Sequence, residues 1–288
     1  FLDRKFQQTI LPVRAYAALM ADRPTDALLH FGALLSQYTP HPNLRAFALY
    51  NAAIAQSQTQ ALAAAAQTFH NFQLTFPDSD EAALAQLQEA DLRYAIGEIP
   101  EAVTLLDELY TSEATASLRM QGRLRALQIA AESNSSERIC AILFDTDWQL
   151  SAMPDIAVLS FAALNAGDQL LNNGDYNAAL RAYRLALPRA ILRHKQRERL
   201  NALQQQIAAP SPFSSSIDNS HRQQLAARLT QQMEHLEQMP DYTPGLYLRA
   251  GHAYLLGQRF REATMLFRKV ARSPEFEPQL RGEAYYRW

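Results

Sequence analysis

Residues 160–193, SFAALNAGDQLLNNGDYNAALRAYRLALPRAILR, read as two amphipathic helices joined by a short turn. Gly167 stands where the helices would cross, Asn173-Gly174-Asp175 makes the turn, and Ala179, Tyr183 and Ala186 lie on the returning helix. The same spacing recurs elsewhere in the chain, and that recurrence separates an array of helix pairs from one isolated pair. In such an array each unit packs mainly on its neighbours, so 288 residues can run as one quasi-linear series instead of two compact domains.

With Ser160 as repeat position 1, small residues occupy positions 8, 20 and 27 and an aromatic occupies position 24. A unit starting at Gln8 places Ala15, Ala27, Phe31 and Leu34 at positions 8, 20, 24 and 27. One from Ala46 places Ala53, Ala65, Phe69 and Phe72 there, with Pro77 as the stop; one from Ala83 places Ala90, Ala102, Leu106 and Leu109, with Gly97 in its turn. The fourth unit, over 122–148, is degenerate, with Ala141 expected at position 20 and Trp148 at position 27. The sixth is expected as an interrupted repeat: a helix over 194–208, a Pro/Ser-rich loop over 208–220, and a helix over 221–239. A seventh from Pro244 is regular again, with Gly251, Tyr254, Phe260, Ala263 and Phe267, and the closing RGEAYYRW reads as the first helix of an eighth.

This pattern resembles the tetratricopeptide repeat, whose unit of roughly 34 residues puts small residues where helices touch and large ones in the gaps. The resemblance implies an all-α fold, a right-handed superhelical solenoid of antiparallel helix pairs with about seven repeats. The expected layout is repeats over 1–207, the loop over 208–220, and further repeats over 221–288. It also implies that repeat positions 2, 5, 6, 9, 12 and 13 of each first helix face a concave groove. On this chain those positions carry Tyr50 and Asn51, then Gln88, Asp91 and Tyr94, then Asn165 and Asp168, then Arg249 and His252. Phe47, Ile54, Leu84, Phe161 and Asn172 fall at groove positions as well. Amides and aromatics in such a groove suit a peptide or helix of a partner protein. A carboxylate clamp of lysines is not expected, because Lys5, Lys195 and Lys269 are the chain's lysines and the first helices carry almost none.

Composition agrees with helix and narrows the chemistry. Ala, Leu, Gln, Arg and Glu dominate and Gly is scarce at 9. A net charge of −2 gives no global attraction to nucleic acid or an anionic membrane. One cysteine, Cys140, excludes an internal disulfide, and without an adjacent His it reads as a buried small residue. The seven histidines form no His-Glu-x-x-His pair, and neither a phosphate-cradling Gly-rich loop nor a Gly-x-Ser-x-Gly elbow is present. A non-enzyme is expected, with no metal and no cofactor. From 46 to 77 no residue is charged, yet the amides interrupt this run too often for a spanning helix. Arg181, Arg184, Arg189, Arg193, Lys195, Arg197 and Arg199 form a basic run that either meets an acidic partner or lies on a solvated face.

The phrase TFPDSDEAALAQL, over 75–87, is similar to the stop-and-restart of envelope repeat proteins, namely the Tol-Pal-associated coordinator and the outer-membrane assembly lipoprotein. That similarity implies a periplasmic or cell-envelope setting. Because both ends of the sequence fall inside expected helices, the chain reads as an excised piece or processed product. Two other roles remain open at this point: the helical collar of a larger enzyme such as a peptidoglycan lytic transglycosylase, and an RNA-binding repeat, which the mixed groove disfavours.

Overall fold

The computed structural model of the chain describes residues 4–37, 41–144, 156–209 and 216–288. Among them it forms fifteen α-helices and no strand. The chain divides into two compact units, Phe1–Arg123 and Leu124–Trp288. The first holds α1 (Arg4–Met20), α2 (Pro24–Gln37), α3 (Pro42–Gln58), α4 (Leu62–Thr75), α5 (Ala82–Ala95) and α6 (Ile99–Thr111). Helix α7 (Ala116–Glu132) contains the boundary. The second unit continues with α8 (Ser136–Phe144), α9 (Ile156–Asn172), α10 (Tyr176–Leu185), α11 (Arg189–Ala208), α12 (Ser216–Gln238), α13 (Thr243–Leu256), α14 (Phe260–Arg272) and α15 (Pro278–Arg287).

Six of the helix pairs turn by one device. Asp22, Gln60, Gly97, Asn134, Gly174 and Gln258 all have positive φ, between 55° and 89°, and each ends the first helix of its pair. In each turn the next residue's N–H reaches back five residues to a helix carbonyl: Arg23 to Ala18, Ala61 to Gln56, Glu98 to Arg93, Ser135 to Ala130, Asp175 to Leu170, and Arg259 to Tyr254. This is the Schellman closure, which pairs carbonyls the helix end would leave orphaned. Gly accepts the left-handed conformation freely, whereas Asp22, Gln60, Asn134 and Gln258 hold it against side-chain crowding.

Packing follows the repeat positions. Ala15, Ala53 and Ala90 at position 8 are fully buried, as are Ala27, Ala65 and Ala102 at position 20. Phe31, Phe69 and Leu106 at position 24 are also closed off from water, and each such side chain contributes roughly 1.5–3 kcal/mol of hydrophobic stabilisation. In the second unit Tyr183 and Phe267 lie over Gly167 and Gly251, where an added Cβ would come within 2.5 and 2.6 Å of the ring. A larger residue at either glycine would push its helix pair apart.

Two expectations need correction. The turn at Asn134 sets the register of the fourth repeat, so that Ile139, not Ala141, is the buried residue of position 20. Ala141 is exposed, and Trp148 lies outside the described residues. The polar run at 133–138 contains three residues of helix α8 already, which hid the true start of that helix from the sequence pattern.

The sixth unit is not a repeat in the stack. Helix α13 packs on α10 and α9, as α3 packs on α2 and α1, and α14 and α15 continue from it. The repeat that follows α9/α10 is therefore α13/α14, and α11 and α12 form an inserted hairpin that packs on itself and, through α11, on α9. Helix α12 begins at Ser216, inside the stretch expected as loop. At the base of the insertion, the Tyr242 hydroxyl donates to the Leu187 carbonyl at 2.7 Å and the Arg189 N–H donates to Thr243 Oγ1 at 3.0 Å. The Arg189 guanidinium caps the end of α12 at the Leu236 and Glu237 carbonyls, at 2.7 to 3.1 Å. Burial pushes the Tyr242 hydroxyl up to about 12, so it remains a donor at neutral pH.

The turn geometry has a measurable consequence. Gly174→Ala is expected to lower the unfolding free energy by about 1 kcal/mol, and Gln258→Gly to raise it by a smaller amount. Urea midpoints at constant slope read both, and a Gly174→Ala midpoint equal to the parent's would show that this turn carries no left-handed constraint.

Candidate binding surface

On α9, Val158, Phe161, Asn165, Asp168 and Asn172 follow one another at spacings of three and four, which aligns them on one helix face. Asn165 and Asn172 are exposed, and Asp168 is half-buried. Two neighbours hold its carboxylate. The Tyr183 hydroxyl donates to Asp168 Oδ1 at 2.7 Å, and Arg249 Nε on α13 approaches the same oxygen at 3.1 Å. The first contact exists because Gly167 has no side chain: the Tyr183 ring lies across α9 there, and its hydroxyl emerges beside the carboxylate one residue on. Burial, then the bond to Asp168, raises the Tyr183 hydroxyl far above its ordinary range and keeps it a donor. The second contact exists because α13 is the next first helix in the stack, which brings together residues separated in sequence by the whole insertion.

His252, one helical turn beyond Arg249, is half-buried. Burial, reinforced by the Arg287 guanidinium and opposed by Glu283, holds its imidazole below the usual value. Arg287 and Glu283 pair with each other on α15 at 3.0 Å. The face made by α9, α13 and α15 thus carries an alternation of acid and base with amides at one end.

The first unit treats its expected groove residues differently. Gln88, Asp91 and Tyr94 are half-buried on α5. Tyr50 and Asn51 are each only 3% exposed, and neither presents a surface. The Tyr50 ring packs edge-on against Phe69 and Phe72 with centroids 5.3 and 5.6 Å apart, and Asn51 Nδ2 donates to the Phe47 carbonyl of its own helix. Tyr50 builds the core between α3 and α4, because large rings on α4 draw it inward. Leu84 is likewise buried.

Sequence reasoning passed over the buried carboxylate next to Gln88. Glu89 is 1% exposed and accepts from Arg93 Nε at 2.6 Å and Gln73 Nε2 at 2.7 Å, with His70 Nδ1 3.4 Å away. Arg93 also holds Glu98 at 2.6 Å. This network ties α4 to α5 and satisfies a charge that would otherwise be costly to bury. The Glu89/Arg93 spacing of four was its one sequence signal. The basic run is largely spent internally: Arg189 caps α12, Arg193 and Arg197 meet Glu237 at 3.5 and 3.2 Å, and Arg181 stacks on Phe144. Cys140 is half-buried rather than buried, and burial raises its thiol. Among the described residues no cluster of His, Cys, Asp and Glu is arranged to hold a metal ion, and no helix is long and apolar enough to cross a membrane.

No family model matches the chain, and no curated protein matches it. Among solved structures it is similar to the TPR2AB-domain:pHSP90-complex of yeast Sti1, at 12% identity over 97% of this chain and 97% of that one, with a TM-score of 0.37. The repeated turn and the helix pairing, and not this low superposition score, define the fold. The chain is an all-α helical-repeat protein.

Two measurements probe this surface. Arg249→Ala and Asp168→Asn are each expected to cost less than about 1 kcal/mol in thermal or urea unfolding, since both side chains are more than a third exposed. For His252, the unfolded chain takes up its proton at higher pH than the folded one, so stability rises with pH through the window just below 6.5. His252→Gln is expected to flatten that rise, measured from about pH 5 to 7; an unchanged slope would place its origin in another group.

Proposed function

We propose that the chain is a non-catalytic scaffold that holds a segment of a partner protein along its first-helix faces. In the second unit the binding side chains are Asn165, Asp168, Arg249 and His252; in the first unit, Gln88, Asp91 and Tyr94 form a separate surface of the same kind. The observation that carries this reading is the Asp168–Arg249 pair. It sits partly exposed across two adjacent first helices, anchored from beneath by a buried tyrosine hydroxyl. Such a pair adds little to stability, and its anchored geometry suits exchange with charged or amide groups of a bound chain. The proposed setting is assembly of a bacterial cell-envelope complex, supported by the stop-and-restart phrase at 75–87.

The test is capture of partners from detergent-solubilised native cells with the whole chain as bait. Beside it run Asn165→Arg/Asp168→Arg and the swap Asp168→Arg/Arg249→Asp, each checked for unchanged helical circular dichroism. A partner retained by the parent and lost at least tenfold by both variants supports the reading. Equal recovery by all three baits would overturn it.

A further inference from the structure

A cavity of about 250 Å³ opens where the α9 face meets the inserted hairpin. Its floor is Ala157, Val158, Phe161 and Leu236, and its rim carries Gln128, Gln232 and His235. Phe161 and Val158 continue the stripe of Asn165 and Asp168 by spacings of three and four, so the cavity and the ion pair share one face. Gln128 comes from the first helix of the fourth repeat, at position 9 in the register set by Asn134, where Asp168 stands in the fifth. The remaining wall is not part of the repeat array at all. It is α12, held against α9 by α11: Gln196, fully buried, accepts the Ile156 N–H at 3.2 Å and donates to Gln232 Oε1 at 2.9 Å. Tyr242, at the foot of the hairpin, packs on the Phe161 ring at 5.4 Å.

We propose that the inserted hairpin turns a generic repeat groove into a selective one by completing a pocket for a single apolar side chain of the bound partner segment. The proposal deepens the scaffold reading and rests on it. The occupant follows from the lining. Among the described residues no Asp, Glu, Lys or Arg lines the cavity, although Asp168 and Arg249 lie further along the same face, so the pocket accepts an uncharged group beside a site for charged ones. Its volume falls below the range of drug-sized ligand sites and matches one side chain of leucine to phenylalanine size. The amide and imidazole groups of the rim supply donors and acceptors for the main chain that would carry that side chain.

The geometry also sets a spacing. Phe161 and Asp168 are two helical turns apart, about 10 Å along α9 at 1.5 Å per residue. An extended chain covers that distance in about three residues at roughly 3.3 Å each. The segment recognised has an apolar residue with a charged residue about three positions away.

The experiment is selection of a displayed random decapeptide library on the whole chain, followed by affinity measurement of the enriched peptides. The variants are Gln128→Trp, which blocks the pocket from its rim; Val158→Arg, which places a charge in its floor; and Asp168→Arg. Each is checked by circular dichroism and thermal unfolding. Enriched peptides with Leu, Ile, Met or Phe three positions from a charged residue, bound at least tenfold more weakly by both pocket variants, are the expected result. Peptides that lose affinity with Asp168→Arg but bind both pocket variants normally would overturn the pocket while leaving the scaffold reading intact. Absence of any enriched peptide would overturn both. Self-association of the parent that Gln128→Trp abolishes, without peptide selection, would assign the pocket to a second copy of the chain and overturn the proposal.

Discussion

A Cβ placed on Gly167 would lie 2.5 Å from the Tyr183 ring, and the second unit is arranged around the space that this missing atom leaves. Because the ring can lie flat on α9, the two helices of the pair approach closely and the residues beside the contact are sealed from water. The same ring carries a hydroxyl to Asp168, so one packing contact also orients the carboxylate at the surface. In the following repeat Phe267 covers Gly251 in the same way, but it has no hydroxyl and the polar face beside it is ordered by α15 instead. Close packing and surface chemistry are thus two outcomes of one choice of residue.

The inserted hairpin shows what a nearest-neighbour architecture tolerates. Helices α11 and α12 are long and polar, with few fully buried side chains, and they leave the succession of α10 and α13 undisturbed. The reason is that each repeat draws its stability from its own pair and the adjacent one, so a segment can leave and return if its two ends meet. Here they meet through the Tyr242, Leu187, Arg189 and Thr243 contacts. Three of the arginines that read as a basic patch, Arg189, Arg193 and Arg197, close the hairpin onto Glu237 and the end of α12.

Burial of polar groups distinguishes the two units. In the first, Glu89 is withdrawn from water and fully engaged with Arg93 and Gln73, and Tyr50 and Asn51 are internal. In the second, Asp168 and Arg249, at repeat positions 9 and 6, remain partly exposed. A buried network fixes the geometry of its helices, since breaking it strands a charge. An exposed pair can be traded for other partners at small cost. The binding surface proposed for the second unit draws on that difference.

The helix pairs, their turns and most of the buried residues were legible in the amino-acid order. Ala15 with Phe31, Ala53 with Phe69, and Gly251 with Phe267 are each sixteen residues apart and buried or in close approach within one hairpin. Short-range packing of this kind leaves a periodic trace. The fourth repeat blurred that trace because Leu127 and Ile139 replace the small residues at its contacts, and the register became visible only from the turn at Asn134. Whether a polar residue on a first helix faces water was not readable, as Tyr50 and Asn51 show, because an amphipathic pattern says that a face is covered without saying by what. The pairing of Asp168 with Arg249, and the pocket beside it, belong to the tertiary structure alone. The pair depends on α13 docking against α10 across an insertion and the pocket on α12 held against α9 by α11, and no local pattern records which helix fills the next place in the stack.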